Sequence, residues 1–277
     1  MSSKIKIAIS PCPNDTFIVY AMLHSKIDTL GYKFEVDFKD IQDLNKASER
    51  KEYDLIKLSF AQVPNIIENY VISNSGSAIG YGCGPLLISL PKNKELNNKS
   101  KIALPGANTT ASMLFKYFYG DVFEFKNMLF SDIEKAVLEG EVDAGVIIHE
   151  NRFTYQDRGL HKIADLGASW EKLNNQPIPL GCFMLSRSFS KKEGLEIQSI
   201  IKSSIEYAFE NRDEVLMFSK KYAQEMKEEI MLQHIELYVT NDTISLSEKA
   251  KMSIKNLILP NILEKIPNFE ENNLYID

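Results

Sequence analysis

The feature that most constrains this chain is a strand–helix alternation that breaks off in a run of small residues and then starts again. Residues 4–9 are short, apolar and rich in β-branched side chains, which predicts a buried strand. Pro11 and Pro13 end it, and Asn14 or Asp15 then caps a helix over 16–24. Residues 34–38 alternate with period two and read as a strand. A helix over 44–50, a strand over 54–58 and a helix over 60–69 follow. Such alternation predicts a mostly parallel sheet covered by helices on both faces. Residues 86–90 read as a further buried strand, and the polar stretch 91–100 as a linker. The second series has strands at 101–104, 128–130 and 142–148, with helices over 111–119 and 133–139.

After a strand at 181–185 the pattern is helical. Ile197, Ile200, Ile201, Ile205 and Ala208 share one face, 213–226 and 245–257 give two more helices, and Pro260 breaks the pattern. A helical tail must pack on something, most simply on the first unit. The chain is therefore expected to cross between units twice, near residues 90 and 185. The expected organisation is a first lobe over 1–90, a second over 91–185, and a helical return over 186–277 packed on the first.

Composition narrows the function. The 277 residues carry a net charge of −6 and are 44% hydrophobic, which excludes intrinsic disorder. No basic surplus is present to neutralise phosphates, so no nucleic-acid partner is expected. Three cysteines make no disulfide framework and no zinc pattern. No apolar run approaches the roughly 20 residues that span a bilayer, so no membrane partner is expected. Residues 1–6 lead straight into the first strand without a secretory apolar segment, so a cytoplasmic setting with reduced Cys12, Cys83 and Cys182 is expected.

Ligands of open α/β sheets bind at strand ends, beside the helices that follow. Three segments have this form: 9–16, Lys57 to Ser59, and 106–111. Free N–H groups at such helix starts favour a carboxylate or phosphate, and the Thr109 and Thr110 hydroxyls would add donors. Asn108 or Thr109 fits equally well as a plain helix cap. None of the three segments matches a nucleotide fingerprint. His149 ends the strand at 142–148, where it fits either a general base working near neutral pH or a structural histidine. His24 lies late in a helix, while His161 and His234 sit in polar segments and read as solvated. No histidine pair or acidic cluster has metal-ligand spacing, and Cys12 reads as a small packed residue.

Six segments carry a specific resemblance. They are 10–17 (Ser-Pro-Cys-Pro-Asn-Asp-Thr-Phe), Lys57-Leu58-Ser59, Gly80 to Pro85, 105–111, 148–155 (Ile-His-Glu-Asn-Arg-Phe-Thr-Tyr), and Asp165-Leu166-Gly167 followed by 177–181. Together they resemble the 1,4-dihydroxy-6-naphthoate synthases of the futalosine route to menaquinone, strongly over 4–190 and loosely beyond. The resemblance implies an α/β fold of the periplasmic-binding-protein type II kind, with two lobes, a central cleft and a double crossover. It implies a lyase that converts cyclic dehypoxanthinyl futalosine into 1,4-dihydroxy-6-naphthoate and a dihydroxyacetone-type fragment. It implies neither a metal nor an organic cofactor.

The family's proton acceptor falls on His149. Its substrate-contacting segments fall on Lys57, Leu58 and Ser59 and on Thr109 and Thr110, and Asn14 of the first motif joins them as a candidate. Asn151 stands where a glycine is expected. Two other functions fit the same fold: the chorismate dehydratase of the same pathway, and a solute-binding protein without catalysis. Whether the chain is a monomer or a homodimer is left open by the sequence.

Overall fold

The computed structural model describes residues 4–93, 95–223 and 227–277. Its strands are β1 (Lys4–Ile9), β2 (Lys33–Phe38), β3 (Leu55–Ser59), β4 (Tyr70–Ile72), β5 (Ala78–Gly80), β6 (Leu86–Ser89), β7 (Lys101–Leu104), β8 (Glu124–Asn127), β9 (Ala144–Ile147), β10 (His161–Asp165) and β11 (Ile178–Ser186). They form two sheets. The first has the order β2-β1-β3-β11-β4, with β5 also on β11; the second has the order β10-β6-β9-β7-β8.

Both sheets are mixed, where a mostly parallel sheet was expected. β1 runs parallel to β2 and β3, but β11 is antiparallel to β3, β4 and β5. In the second sheet β7 runs parallel to β8 and β9, whereas β6 and β10 are antiparallel additions. The antiparallel strands are those that bracket the two crossings. The chain leaves the first sheet after Gly80 and returns to it at Ile178, rather than near residues 90 and 185. β6, expected to close the first lobe, pairs with β9 in the second sheet. β11, expected to close the second lobe, pairs with β3 in the first.

The two crossing segments touch backbone to backbone. A Cβ on Gly167 would lie 2.3 Å from the Cys83 carbonyl oxygen, and one on Gly84 would lie 2.5 Å from the Gly167 Cα. Only glycine permits that approach. The Leu166 N–H also bonds the Pro85 carbonyl at 2.9 Å.

The helical return covers the first sheet on both faces. Helix Lys191–Glu210 opens with a capping box between Ser190 and Glu193, and Ile197, Ile201 and Ile205 pack on Phe17 and Ile18. On the other face, Ile254 and Ile258 of helix Glu248–Lys265 meet Phe60 and Val63. Pro260 lies inside that helix and does not end it. The proline is exposed, so the carbonyl it leaves unbonded faces water, while Leu257, Ile258 and Ile262 keep the buried face intact.

Two smaller differences have local causes. The strand expected at 128–130 lies earlier, at β8, because β8 is an exposed polar edge strand with no apolar signal; Phe130 opens helix Phe130–Leu138 instead. The helix expected over 213–226 is Arg212–Ser219, and residues 224–226 lie outside the described residues. So do the first three residues of the N-terminal stretch and residue 94 of the expected linker.

Candidate active site

The C-terminal ends of β1 and β3 from one sheet, and of β7 and β9 from the other, open onto one cavity. Asn14, Lys57, Leu58, Ser59, Thr109, Thr110 and His149 all line it, so the structure brings every sequence-derived candidate together. It adds Ser10, Asp15, His234 and Tyr238 to the lining.

The first-lobe side is a hydrogen-bond network centred on Asp15. Lys57, 3% exposed, pairs with Asp15 at 2.9 Å and donates to the Gly76 carbonyl at 2.8 Å. Asp15 also accepts from the Ser10 hydroxyl at 2.7 Å and from the Asn14 amide at 2.8 Å. The Asn14 carbonyl oxygen is buried and has no partner among the described residues. Ser59 ends β3 beside Asn45, whose amide also bonds the Asn108 carbonyl at 3.0 Å and so ties the two strand ends together.

The start of helix Thr110–Tyr119 offers its backbone rather than its hydroxyls. Thr109 caps the helix: its hydroxyl donates to the Gly106 carbonyl at 2.9 Å and accepts from the Ser112 N–H at 3.2 Å. The Thr110 hydroxyl donates to the Leu180 carbonyl at 2.9 Å, linking this helix to β11. The first N–H groups of a helix have no partner inside it, so those of Thr110 and Ala111 are available at the cavity wall.

His149 follows β9 with φ of +57°, the left-handed region that costs a non-glycine residue about 1–2 kcal/mol. This half-buried residue sits with Nδ1 3.5 Å from the Cys12 sulfur and its ring 4.8 Å from Phe130. Cys12 is therefore a partner of His149 and more than filler. Burial pushes its thiol pKa well up, and the charges of Glu150, Asp15 and Asp40 add to the rise, so the thiol stays protonated.

Cys12, His149 and Glu150 also bring three ligand-type atoms within 4.8 Å of one another, a grouping that sequence spacing does not reveal. A metal ion there would need the buried thiol to ionise and would take His149 as a ligand. Asn151 has ordinary helical backbone at the start of Asn151–Thr154, so a left-handed conformation is not what the expected glycine would have served. Its side chain neighbours the buried Glu134, whose pKa is raised by burial and held back by Arg158 and by Asn151.

His234 corrects the reading of a solvated histidine. It is fully buried on helix Glu228–Tyr238, and its ring lies 6.0 Å from that of His149. Burial, reinforced by the charges of His149 and Arg152, holds its pKa well below the ordinary histidine value. The signal for it was present in sequence: Met231, His234, Ile235 and Tyr238 follow helical spacing and all are buried.

Comparison with known proteins agrees with this architecture. A family model described as menaquinone biosynthesis matches residues 5–259. The 1,4-dihydroxy-6-naphthoate synthase of Streptomyces coelicolor is 36% identical over 259 residues, 92% of this chain and 91% of that protein. The Thermus thermophilus synthase is 33% identical over 253 residues, 91% of this chain and 92% of that protein. A crystal structure of an Archaeoglobus fulgidus protein superposes with a TM-score of 0.87 at 32% identity, covering 96% of this chain and 98% of that one. The periplasmic aliphatic sulphonate binding protein of Escherichia coli shares the fold alone, with a TM-score of 0.67 at 11% identity over the whole of both chains. The two-lobed structure is thus of the periplasmic-binding-protein kind, and the chain belongs to the menaquinone-biosynthesis family.

Proposed function

We infer that this chain is a 1,4-dihydroxy-6-naphthoate synthase, a carbon–carbon lyase of menaquinone biosynthesis. The observation that carries this reading is the convergence of His149, Ser59 and the start of helix Thr110–Tyr119 on one cavity, in a chain 36% identical to a synthase of that name. Neither the dehydratase nor the solute-receptor alternative is favoured, since both curated relatives are synthases. The substrate in this reading is cyclic dehypoxanthinyl futalosine, and the products are 1,4-dihydroxy-6-naphthoate and a dihydroxyacetone-type fragment.

His149 acts as the base. With its proton on Nδ1, toward the Cys12 sulfur, the Nε2 lone pair is left for a hydroxyl proton of the sugar-derived ring. The N–H groups of Thr110 and Ala111 hold the substrate carboxylate, a local arrangement suited to a chain whose overall charge is negative. Ser59 and the Asn14 carbonyl bind oxygen substituents, and the Lys57–Asp15 pair keeps the wall in place. Aromatisation supplies the driving force, and neither an organic cofactor nor a metal is assigned a role.

The setting we propose is cytoplasmic, in keeping with three free, buried cysteines. No helix of the described residues is long and apolar enough to cross a membrane. The test is turnover of cyclic dehypoxanthinyl futalosine, followed by the absorbance of the naphthoate product. Recovery of bound but intact substrate would overturn the lyase reading in favour of a receptor.

A further inference from the structure

We propose that His234 is a second catalytic residue, whose ring N–H donates to the substrate oxygen that gathers negative charge as the carbon–carbon bond breaks. This rests on the lyase reading above. The starting observation is an imbalance. His234 is 0% exposed and lines the cavity, yet neither of its ring nitrogens has a hydrogen-bond partner among the described residues. A buried imidazole left with an unmet donor and an unmet acceptor is costly, and native proteins satisfy the great majority of such groups. Its neighbours on the same helix face, Met231, Ile235 and Tyr238, are apolar or aromatic, so a phenylalanine or leucine would suit the packing better. A polar ligand in the cavity is what would complete it.

The geometry suits a shared substrate. The His149 and His234 rings are 6.0 Å apart, centroid to centroid, and tilted by 38°. Tyr238 supports His234 from its own helix, ring to ring at 4.8 Å. Two imidazoles so placed can each reach a different oxygen of a β-hydroxycarbonyl unit, the grouping that a retro-aldol cleavage requires. Burial beside His149 and Arg152 keeps His234 uncharged, so it presents one N–H and one lone pair at neutral pH. A neutral, preorganised donor can stabilise a developing oxyanion without reorganising.

The step balances without an oxidant or reductant. His149 takes the hydroxyl proton, and that carbon–oxygen bond becomes a carbonyl. The adjacent carbon–carbon bond breaks, and its electron pair moves into the departing three-carbon fragment as an enolate. His234 hydrogen-bonds the enolate oxygen. The proton on His149 then passes to the enolate carbon and releases a neutral dihydroxyacetone-type product. The ring left behind is a diketone, which becomes the dihydroxynaphthoate by moving two protons from carbon to oxygen.

The test compares wild type, His234→Phe and His234→Gln in turnover of cyclic dehypoxanthinyl futalosine, with thermal melts alongside. Loss of one oxyanion donor lowers kcat by about 100- to 1,000-fold. His234→Phe is expected to show that loss with KM within a few-fold and no fall in Tm, because it removes two unmet polar atoms. His234→Gln retains an N–H donor and is expected to recover part of the rate. A His234→Phe enzyme with kcat within threefold of wild type would overturn the proposal while leaving the lyase reading intact. So would equal kcat losses in both variants matched by falls in Tm. An inactive wild type would instead remove the lyase reading and this inference with it.

Discussion

Two regions of the cavity lining are built on opposite principles. Around Lys57 the charges are paired: Lys57 meets Asp15 and the Gly76 carbonyl, and Asp15 in turn holds Ser10 and Asn14. Around His149, where helix Glu228–Tyr238 of the helical return meets the segment after β9, polar groups are buried and under-bonded. His234 has two nitrogens and Glu150 one buried oxygen without a partner among the described residues. His149 meanwhile sits in left-handed backbone against a thiol. A paired network holds a shape, whereas an open one waits for a ligand. The proposed roles follow that contrast, with positioning in the Lys57 region and proton handling in the His149 region.

The contrast can be broken first at Lys57. Lys57→Met strands the Asp15 carboxylate in a buried site, and breaking such a pair costs about 3–5 kcal/mol. Urea unfolding of this variant, and of Lys57→Met with Asp15→Asn, is expected to show a large loss in the single variant and much of it restored in the double. A single-variant loss below about 1 kcal/mol would mean that the Lys57 region is not held by this pair.

A smaller effect is expected from acid. His234 has a lowered pKa in the folded state, so below its ordinary value of 6.5 the unfolded chain binds more protons. Stability from this residue is therefore present above that pH and is lost as pH falls through it, by up to about 1.4 kcal/mol per pH unit. Thermal melts between pH 7.5 and 5.5 should show a fall in Tm in wild type and a shallower fall in His234→Phe. Parallel curves would mean that His234 is not held neutral.

The smallest effect lies at Thr109. Its hydroxyl is engaged in capping, so Thr109→Ala is expected to cost about 1 kcal/mol of stability, measured by chemical unfolding. KM should change little, because the backbone N–H groups remain. A tenfold rise in KM at unchanged stability would show instead that the hydroxyl binds substrate.

Much of the fold was legible because its signals are local. The β-branched run of β1 and the period-two pattern of β2 each sit within a few residues. The helix after β1, expected over 16–24 with Asn14 or Asp15 as its cap, instead runs over Pro13–Leu23 behind Cys12, because proline suits the first turn of a helix. The place of His149 at the cavity was legible because it closely follows a clean buried strand. What was not legible depends on distant partners. Nothing within residues 86–90 says that β6 pairs with β9 rather than in the first sheet. Cys12 and His149 are 137 residues apart in sequence, so their contact has no local trace. His234 was hidden differently: a polar residue on an apolar helix face weakens the periodic signal that would have marked the helix, and that misfit is what places it at the cavity.

The central claim is that His149 performs chemistry on a substrate that the rest of the cavity binds. The most direct measurement pairs substrate binding with turnover in wild type and His149→Ala. A positioned base contributes about 100- to 10,000-fold, so turnover is expected to fall by that factor while the dissociation constant for cyclic dehypoxanthinyl futalosine changes only a few-fold. Formation of dihydroxynaphthoate by His149→Ala at near the wild-type rate would contradict the account.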